Sequence, residues 1–250
     1  MGSGAFVRLL ERKRHPIPLV SLCLSAVSAL LFLLPSAAAA LEYDRVAIGS
    51  GQVWRLVTGH LVHYSFDHFF WDTITFGILA VVCERKDNRR FVACLFISEV
   101  LISLVLWFCA PSIDRYRGLS GVDSALFALL AAELFIEGIR SANRQQVAVA
   151  ATCLTGFLLK TTFELATSHT LFVTSLGSGA VGVPVAHLVG AAVGLMASSR
   201  RFVFCRSTRM PFCASFSTLP RMIRPVKPVR PSDRLRLTFT NQNPRPRAGS

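Results

Sequence analysis

The chain has 250 residues, 52% of them hydrophobic and 16% charged, with a formal net charge of +13. That is richer in apolar residues and poorer in charge than a soluble domain, and it points to long apolar segments in a membrane. The seven cysteines lie mostly among apolar neighbours without a CxxC pair, so they read as small core residues rather than disulfides or zinc ligands.

Residues 1–17 are short and basic, and Pro18–Ala40 then runs 23 residues without a charge. A basic start followed by Ala37–Ala40 resembles a signal peptide, but the run is long enough to span and more spans follow, so a retained first helix is expected. Leu41–His60 is a polar loop whose Trp54 and Arg55 suit an interfacial position. His63–Cys83 is the second span, closed by the charged loop Glu84–Arg90, and Phe91–Ala110 is the third, carrying Glu99. After the loop Pro111–Arg117, Gly118–Ile136 forms the fourth. A polar hinge, Glu137–Gln146, leads to Val147–Phe163, which is short for a span and contains Lys160. Glu164–Gly179 reads as a polar loop, and Ala180–Ser198 is the sixth span, with His187 its one titratable residue.

The expectation is an all-α, polytopic membrane protein: a basic N-terminus (1–17), a six-transmembrane-helix bundle (18–199) and a basic tail (200–250). The tail holds twelve Lys+Arg against one acid, Asp233, and is expected to be disordered. Beside a membrane helix its nearer partner is an anionic lipid headgroup, not nucleic acid.

With the N-terminus inside, cytoplasmic segments hold 22 of the 27 Lys+Arg and the outer loops hold 4. Both termini are therefore expected in the cytoplasm of a cell with a plasma or inner membrane location. A depth estimate follows from the rise of about 1.5 Å per helical residue. Ser120 falls near the outer end of its span, His68 about 7 Å down, His187 about 10 Å and Asp72 about 13 Å. Polar groups from several spans thus share the outer half of the bilayer, where ionisable residues usually face the bundle and mark function.

The stretch Gly118-Leu119-Ser120-Gly121 places a serine between glycines at a helix start. Its plain reading is a small-residue turn with Ser120 as the cap. At matched depth with His187, however, Ser120 can act as a nucleophile and His187 as its base. His68 and Asp72, at i and i+4, share one helix face. Gly190 and Gly194 after His187 form a GxxxG that allows close packing, and the fourth span, with Gly121, Ser124 and Ala128 on one stripe, is its natural partner. His60 and His63 read as interfacial helix-start residues, Lys160 and Glu164 as an i, i+4 pair, and His169 as a solvated loop residue. An alternative set, His60, His63, His68 and Asp72, has spacing compatible with a metal-dependent membrane enzyme.

Together GLSG at the head of one span, AHxxGxxxG in a later one and His-x4-His-x3-Asp in an earlier one resemble the rhomboid intramembrane serine proteases. Trp54-Arg55 and Glu84-Arg85 match as well. Within that family the run Gln52–His63 (QVWRLVTGHLVH) and the Lys160-x3-Glu164 pattern look most like the rhombosortase branch. The resemblance implies a rhomboid-like six-helix bundle with its cavity on the outer side. It implies Ser120 and His187 as catalytic dyad, His68, Asp72 and the Ser120 backbone N–H stabilising the oxyanion, and Gly118, Gly121, Gly190 and Gly194 supporting substrate or helix packing. It implies no metal or cofactor, and as partner a protein substrate cleaved in a transmembrane segment. For the rhombosortase branch that segment is a C-terminal sorting signal of Gly-Gly, an apolar helix and a basic end. The chain departs from the family pattern at Asp72, where Asn is usual, and at Ser124, where an aromatic or His is usual. Without that ring, Asp123 is a candidate for orienting the His187 imidazole, but at i+3 it lies off the Ser120 face, and a structural hydrogen bond is its plainer reading. A non-catalytic relative that binds membrane helices is the alternative within the family.

Overall fold

Pro35 decides the shape of the first apolar segment. A residue before proline is pushed out of the helical region, and Leu34 sits at φ −122°, ψ 76°. The expected single span is therefore two helices, α1 (Leu19–Leu33) and α2 (Pro35–Leu41), bent by 116°. At 15 residues, α1 is about 22 Å long, short of the hydrocarbon thickness by itself. The computed structural model describes residues 17–167, 171 and 183–199. The basic N-terminus up to 16, the tail 200–250 and His169 lie outside the described residues.

A strand of two residues, β1 (Tyr43–Asp44), leads into short helices α3 (Arg45–Gly49) and α4 (Arg55–Thr58) and a 3-10 turn at Gly59–Leu61. Then follow α5 (Phe66–Lys86), α6 (Asn88–Cys109), β2 (Arg115–Tyr116), α7 (Ser120–Arg140), α8 (Arg144–Thr167) and α9 (Pro184–Ser198). The protein is an all-α, multi-pass membrane bundle apart from the antiparallel β1–β2 pair, which sets Tyr43 opposite Tyr116 and Asp44 opposite Arg115. Among the described residues, three helices (α5, α6 and α8) are long and apolar enough to cross a membrane, or four if α1–α2 is one broken span. The remaining two are of another kind: α7 is 21 residues long but carries Asp123, Glu133 and Glu137, and α9 is 15 residues long.

The core forms around α7. Leu119, Val122, Ala125, Leu126 and Leu129 pack with Phe76 and Ala80 of α5, Phe91 and Cys94 of α6, and Val193 and Ala197 of α9. Helix α9 lies backbone to backbone on α7: a Cβ on Gly190 would fall 1.9 Å from the Gly121 carbonyl oxygen, and one on Gly194 2.0 Å from that of Ala125. The contact stripe on α7 is thus Gly121, Ala125 and Leu129, one residue round from the stripe expected through Ser124 and Ala128. Helix α8 is held differently, by the Phe127–Phe157 ring stack at 5.6 Å and by Gly138 against Val147 at the hairpin. Its outward face, with Leu158, Leu159 and Phe163, is exposed. It also runs to Thr167, a full turn past the expected end at Phe163, so Glu164 is helical rather than in a loop.

Polar groups expected at the interface turn out to be internal fastenings. Arg55 is buried, donating to Gln52 Oε1 at 2.8 Å and to the Glu42 carbonyl at 2.8 Å, and thereby ties α4 to the end of α2. His60 and His63 are also buried, because the loop that carries them folds into the bundle. His60 Nε2 meets the Glu99 carbonyl at 3.0 Å and Ser103 Oγ at 3.1 Å. Glu84 accepts the Val20 and Ser21 N–H groups at 3.0 and 2.8 Å, supplying the free donors at the start of α1 with a cap from another helix.

Candidate functional site

The turn before α7 is fixed from both sides. β2 pairs with β1, and Arg117 reaches Glu42 Oε2 at 2.8 Å and the His63 carbonyl at 3.2 Å. Gly118 follows at φ +121°, a conformation L side chains rarely adopt, and a Cβ there would lie 2.5 Å from His68 Nε2 and 3.0 Å from Asp72 Oδ2. Only glycine allows this approach. Ser120 then opens α7 as its first helical residue. The cap position is Leu119, which makes no side-chain cap bond, so Ser120 is not the cap of the plain reading.

Around Ser120 the polar groups converge. Its backbone N–H donates to Asp72 Oδ2 at 3.1 Å. His68 Nε2 meets the same oxygen at 3.0 Å and His63 Nε2 lies 3.5 Å from it. The i, i+4 spacing on α5 brings His68 and Asp72 together, and the Val62–Ser65 segment folds back to bring His63. Burial lowers the His63 pKa below the ordinary imidazole value, against the opposing pull of Asp72. Tyr116 donates its hydroxyl to the Gly118 carbonyl at 3.2 Å and is close enough to hydrogen-bond the Ser120 hydroxyl; burial raises its pKa. Ser124 bonds back to the Ser120 carbonyl at 2.8 Å.

His187 sits in the first turn of α9, behind Pro184. The α7–α9 contact brings it to Ser120's neighbourhood: a Cβ on Gly121 would lie 3.2 Å from the Ala186 carbonyl oxygen and 3.3 Å from its Cβ. The residues after Ser120 and before His187 therefore approach too closely to leave room for a side chain at 121. His187 Nδ1 meets Glu164 Oε2 at 3.2 Å, and Lys160 Nζ meets that oxygen at 2.8 Å. The Leu171 N–H donates to Glu164 Oε1 at 3.2 Å. Lys160 and Glu164 pair as their spacing suggests, but Glu164's reach to His187 was not legible from it. The signal lay in the helix continuing one turn further, which carries Glu164 to the level of His187.

A cavity of about 530 Å³ is lined by Ser120, His187, His68, Asp72, Lys160 and Glu164, with Trp71, Phe127 and Phe157 among its apolar walls. Asp123 also lines it, buried, with Oδ1 lacking a hydrogen-bond partner among the described residues. His60 is turned away onto α6 and does not join the metal set proposed from spacing. Among the described residues no group of three or more His, Cys, Asp or Glu is arranged to hold a metal ion.

The Rhomboid domain family matches residues 50–203, which takes in α4 through α9 and every residue lining the cavity. A Bacillus subtilis (strain 168) protein named "Putative rhomboid protease YdcA" is 26% identical over 136 residues. That match covers 52% of this chain and 65% of the relative, just under two-thirds of its length. With more than half of its length matched by the family, and with a membrane bundle that gathers GLSG and AHxxGxxxG at one cavity, the chain belongs to the rhomboid family.

Proposed function

We propose that this protein is an intramembrane serine protease that cuts transmembrane segments of other proteins with Ser120 and His187. The observation that carries the reading is that the two residues line one cavity on helices in backbone contact. Ser120 Oγ attacks the scissile carbonyl while His187 Nε2 takes its proton and later gives it to the leaving amine. His68 and the Ser120 N–H are the donors for the developing oxyanion, with Asp72 between them. Gly118 and Gly121 keep side chains off the approach to Ser120. The apolar walls suit an unwound piece of a membrane helix. The rhombosortase-like run Gln52–His63 supports a substrate ending in Gly-Gly, an apolar helix and a basic tip. The charge asymmetry supports both termini in the cytoplasm, the active site facing outward and the basic tail against anionic lipid.

The test is a fluorophosphonate probe on the detergent-solubilised protein. Wild type should be labelled at Ser120, and Ser120→Ala or His187→Ala should lose labelling by several powers of ten. Unchanged labelling of Ser120→Ala ends the proposal. One observation favours the second reading, a non-catalytic helix-binding relative: the Ser120 N–H is already engaged by Asp72. An unlabelled wild type would establish that reading.

A further inference from the structure

His187 has two ring nitrogens, and the protease reading, on which this inference rests, needs Nε2 free of a proton. Something must therefore hold the hydrogen on Nδ1. Two buried carboxylates stand near. Asp123 is three residues along α7 from Ser120, and its Oδ1 has no partner among the described residues. Glu164 approaches from α8, with Oε2 at 3.2 Å from His187 Nδ1. We infer that Glu164 is a positioning residue for the reaction, holding the His187 ring through Nδ1 and itself anchored by Lys160.

The chemistry follows from the donor inventory. An ionised carboxylate only accepts, so a contact with Nδ1 fixes the hydrogen there and leaves the Nε2 lone pair toward the nucleophile. When the Ser120 Oγ–carbon bond forms, the carbonyl electron pair moves onto oxygen and the hydroxyl proton moves to Nε2. The imidazolium so formed faces the Glu164 carboxylate. When the peptide C–N bond breaks, the Nε2 proton leaves with the amine and His187 is neutral again. Glu164 accepts no proton at any step.

Glu164 is itself held for this purpose. It is buried, Lys160 Nζ lies 2.8 Å from Oε2, and the Leu171 N–H lies 3.2 Å from Oε1. A cation on the oxygen that faces His187 keeps the carboxylate in its acceptor form inside an apolar wall. The other charged groups on the cavity wall are His68 and Asp72 on α5, Arg115 and Arg117 around β2, and Asp123 on α7. Among the described residues the contact at Nδ1 is with Glu164, so the tautomer rests on it.

The test uses the full chain in detergent, with a fluorophosphonate probe whose labelling is separated into a binding constant and a first-order step. Glu164→Gln should slow the first-order step on the order of 10³-fold, with probe binding and the unfolding midpoint little changed. Glu164→Asp, which keeps the charge, should recover part of the loss. In spectra of ¹⁵N-histidine protein, wild type should show a hydrogen-bonded His187 Nδ1–H proton far downfield that is lost in Glu164→Gln and in His187→Ala. Wild-type labelling in Glu164→Gln, or slowing with that resonance intact, overturns the inference alone. Should Glu164→Gln not fold, Glu164→Asp decides: a slower first-order step supports the inference and an unchanged one overturns it. A wild type that the probe does not label at Ser120 overturns the protease reading and this inference with it.

Discussion

The Ser120 backbone N–H donates to Asp72 Oδ2 at 3.1 Å, on the same oxygen that His68 Nε2 meets at 3.0 Å. The Ser120 N–H and the His68 ring thus converge on one carboxylate oxygen, where the proposed mechanism puts the substrate oxyanion. A negative charge fixed there competes with the one that develops in the reaction. Asp72→Asn removes the charge, keeps the shape and adds a donor. The expected result is a rise in kcat/KM of about tenfold or more at neutral pH, from the usual worth of an oxyanion donor. A variant slower than wild type across the pH range would instead make Asp72 the residue that orients His68.

Helix contact at Gly190 and Gly194 leaves no room for a methyl group. Gly190→Ala or Gly194→Ala must push α9 off α7, since the added carbon would lie about 2 Å from a carbonyl oxygen. Each should lose at least about 1–3 kcal/mol of stability, as overpacking typically does, and should also slow Ser120 labelling. Gly156→Ala on α8 is the control, because nothing lies within 4 Å of a Cβ there. Thermal unfolding in detergent separates them: equal midpoints for Gly190→Ala and Gly156→Ala would contradict the contact.

His60 gives a pH dependence. Burial holds its pKa down at about 4 from the ordinary 6.5, outweighing the opposing pull of the Glu99 and Gly118 carbonyls. Between those values the unfolded chain binds the proton and the folded one does not. Stability from this group is therefore complete above pH 6.5 and declines as the pH falls toward 4, by about 3 kcal/mol at the limit. The unfolding midpoint should drop over that interval, and His60→Gln should flatten the drop. Parallel curves for the two proteins would refute it.

Orientation is open to a direct reading. Reporters fused after Ala110 should be active only outside the cell, and reporters after Arg140 only inside, because the short loops concentrate Lys and Arg on one side. The reverse pattern would place the Ser120 cavity on the cytoplasmic face.

The residues that gather at the cavity were readable where chemistry imposes local spacing. GLSG, AHxxGxxxG and the His68–Asp72 turn each fit within a few residues of chain. What stayed hidden depends on contacts between distant segments. Glu164 and His187 are 23 residues apart, joined by a segment whose path spacing does not reveal. His60 and His63 look amphipathic in isolation but sit in a loop tied inward by Ser103, which meets His60 and the Leu56 carbonyl, and by Arg117, which donates to the His63 carbonyl. The bend at Pro35 was not read from the sequence, because an uncharged run of 23 residues has the length of one span. Helix α7 carries more charge than a lipid-facing span because it is surrounded by its neighbours, and hydropathy alone does not distinguish those two situations.

The two ways of fastening helices have a consequence for how the site responds to force. Ser120 and His187 belong to α7 and α9, whose backbones interlock at Gly121–Gly190 and Ala125–Gly194. Glu164 belongs to α8, which is pinned where Gly138 meets Val147 and carries exposed apolar side chains on its far half. Force on that far half is opposed by the Phe127–Phe157 ring stack and the Glu164–His187 contact, not by interlocked backbones. The Glu164–His187 contact is therefore easier to part than the seam between α7 and α9.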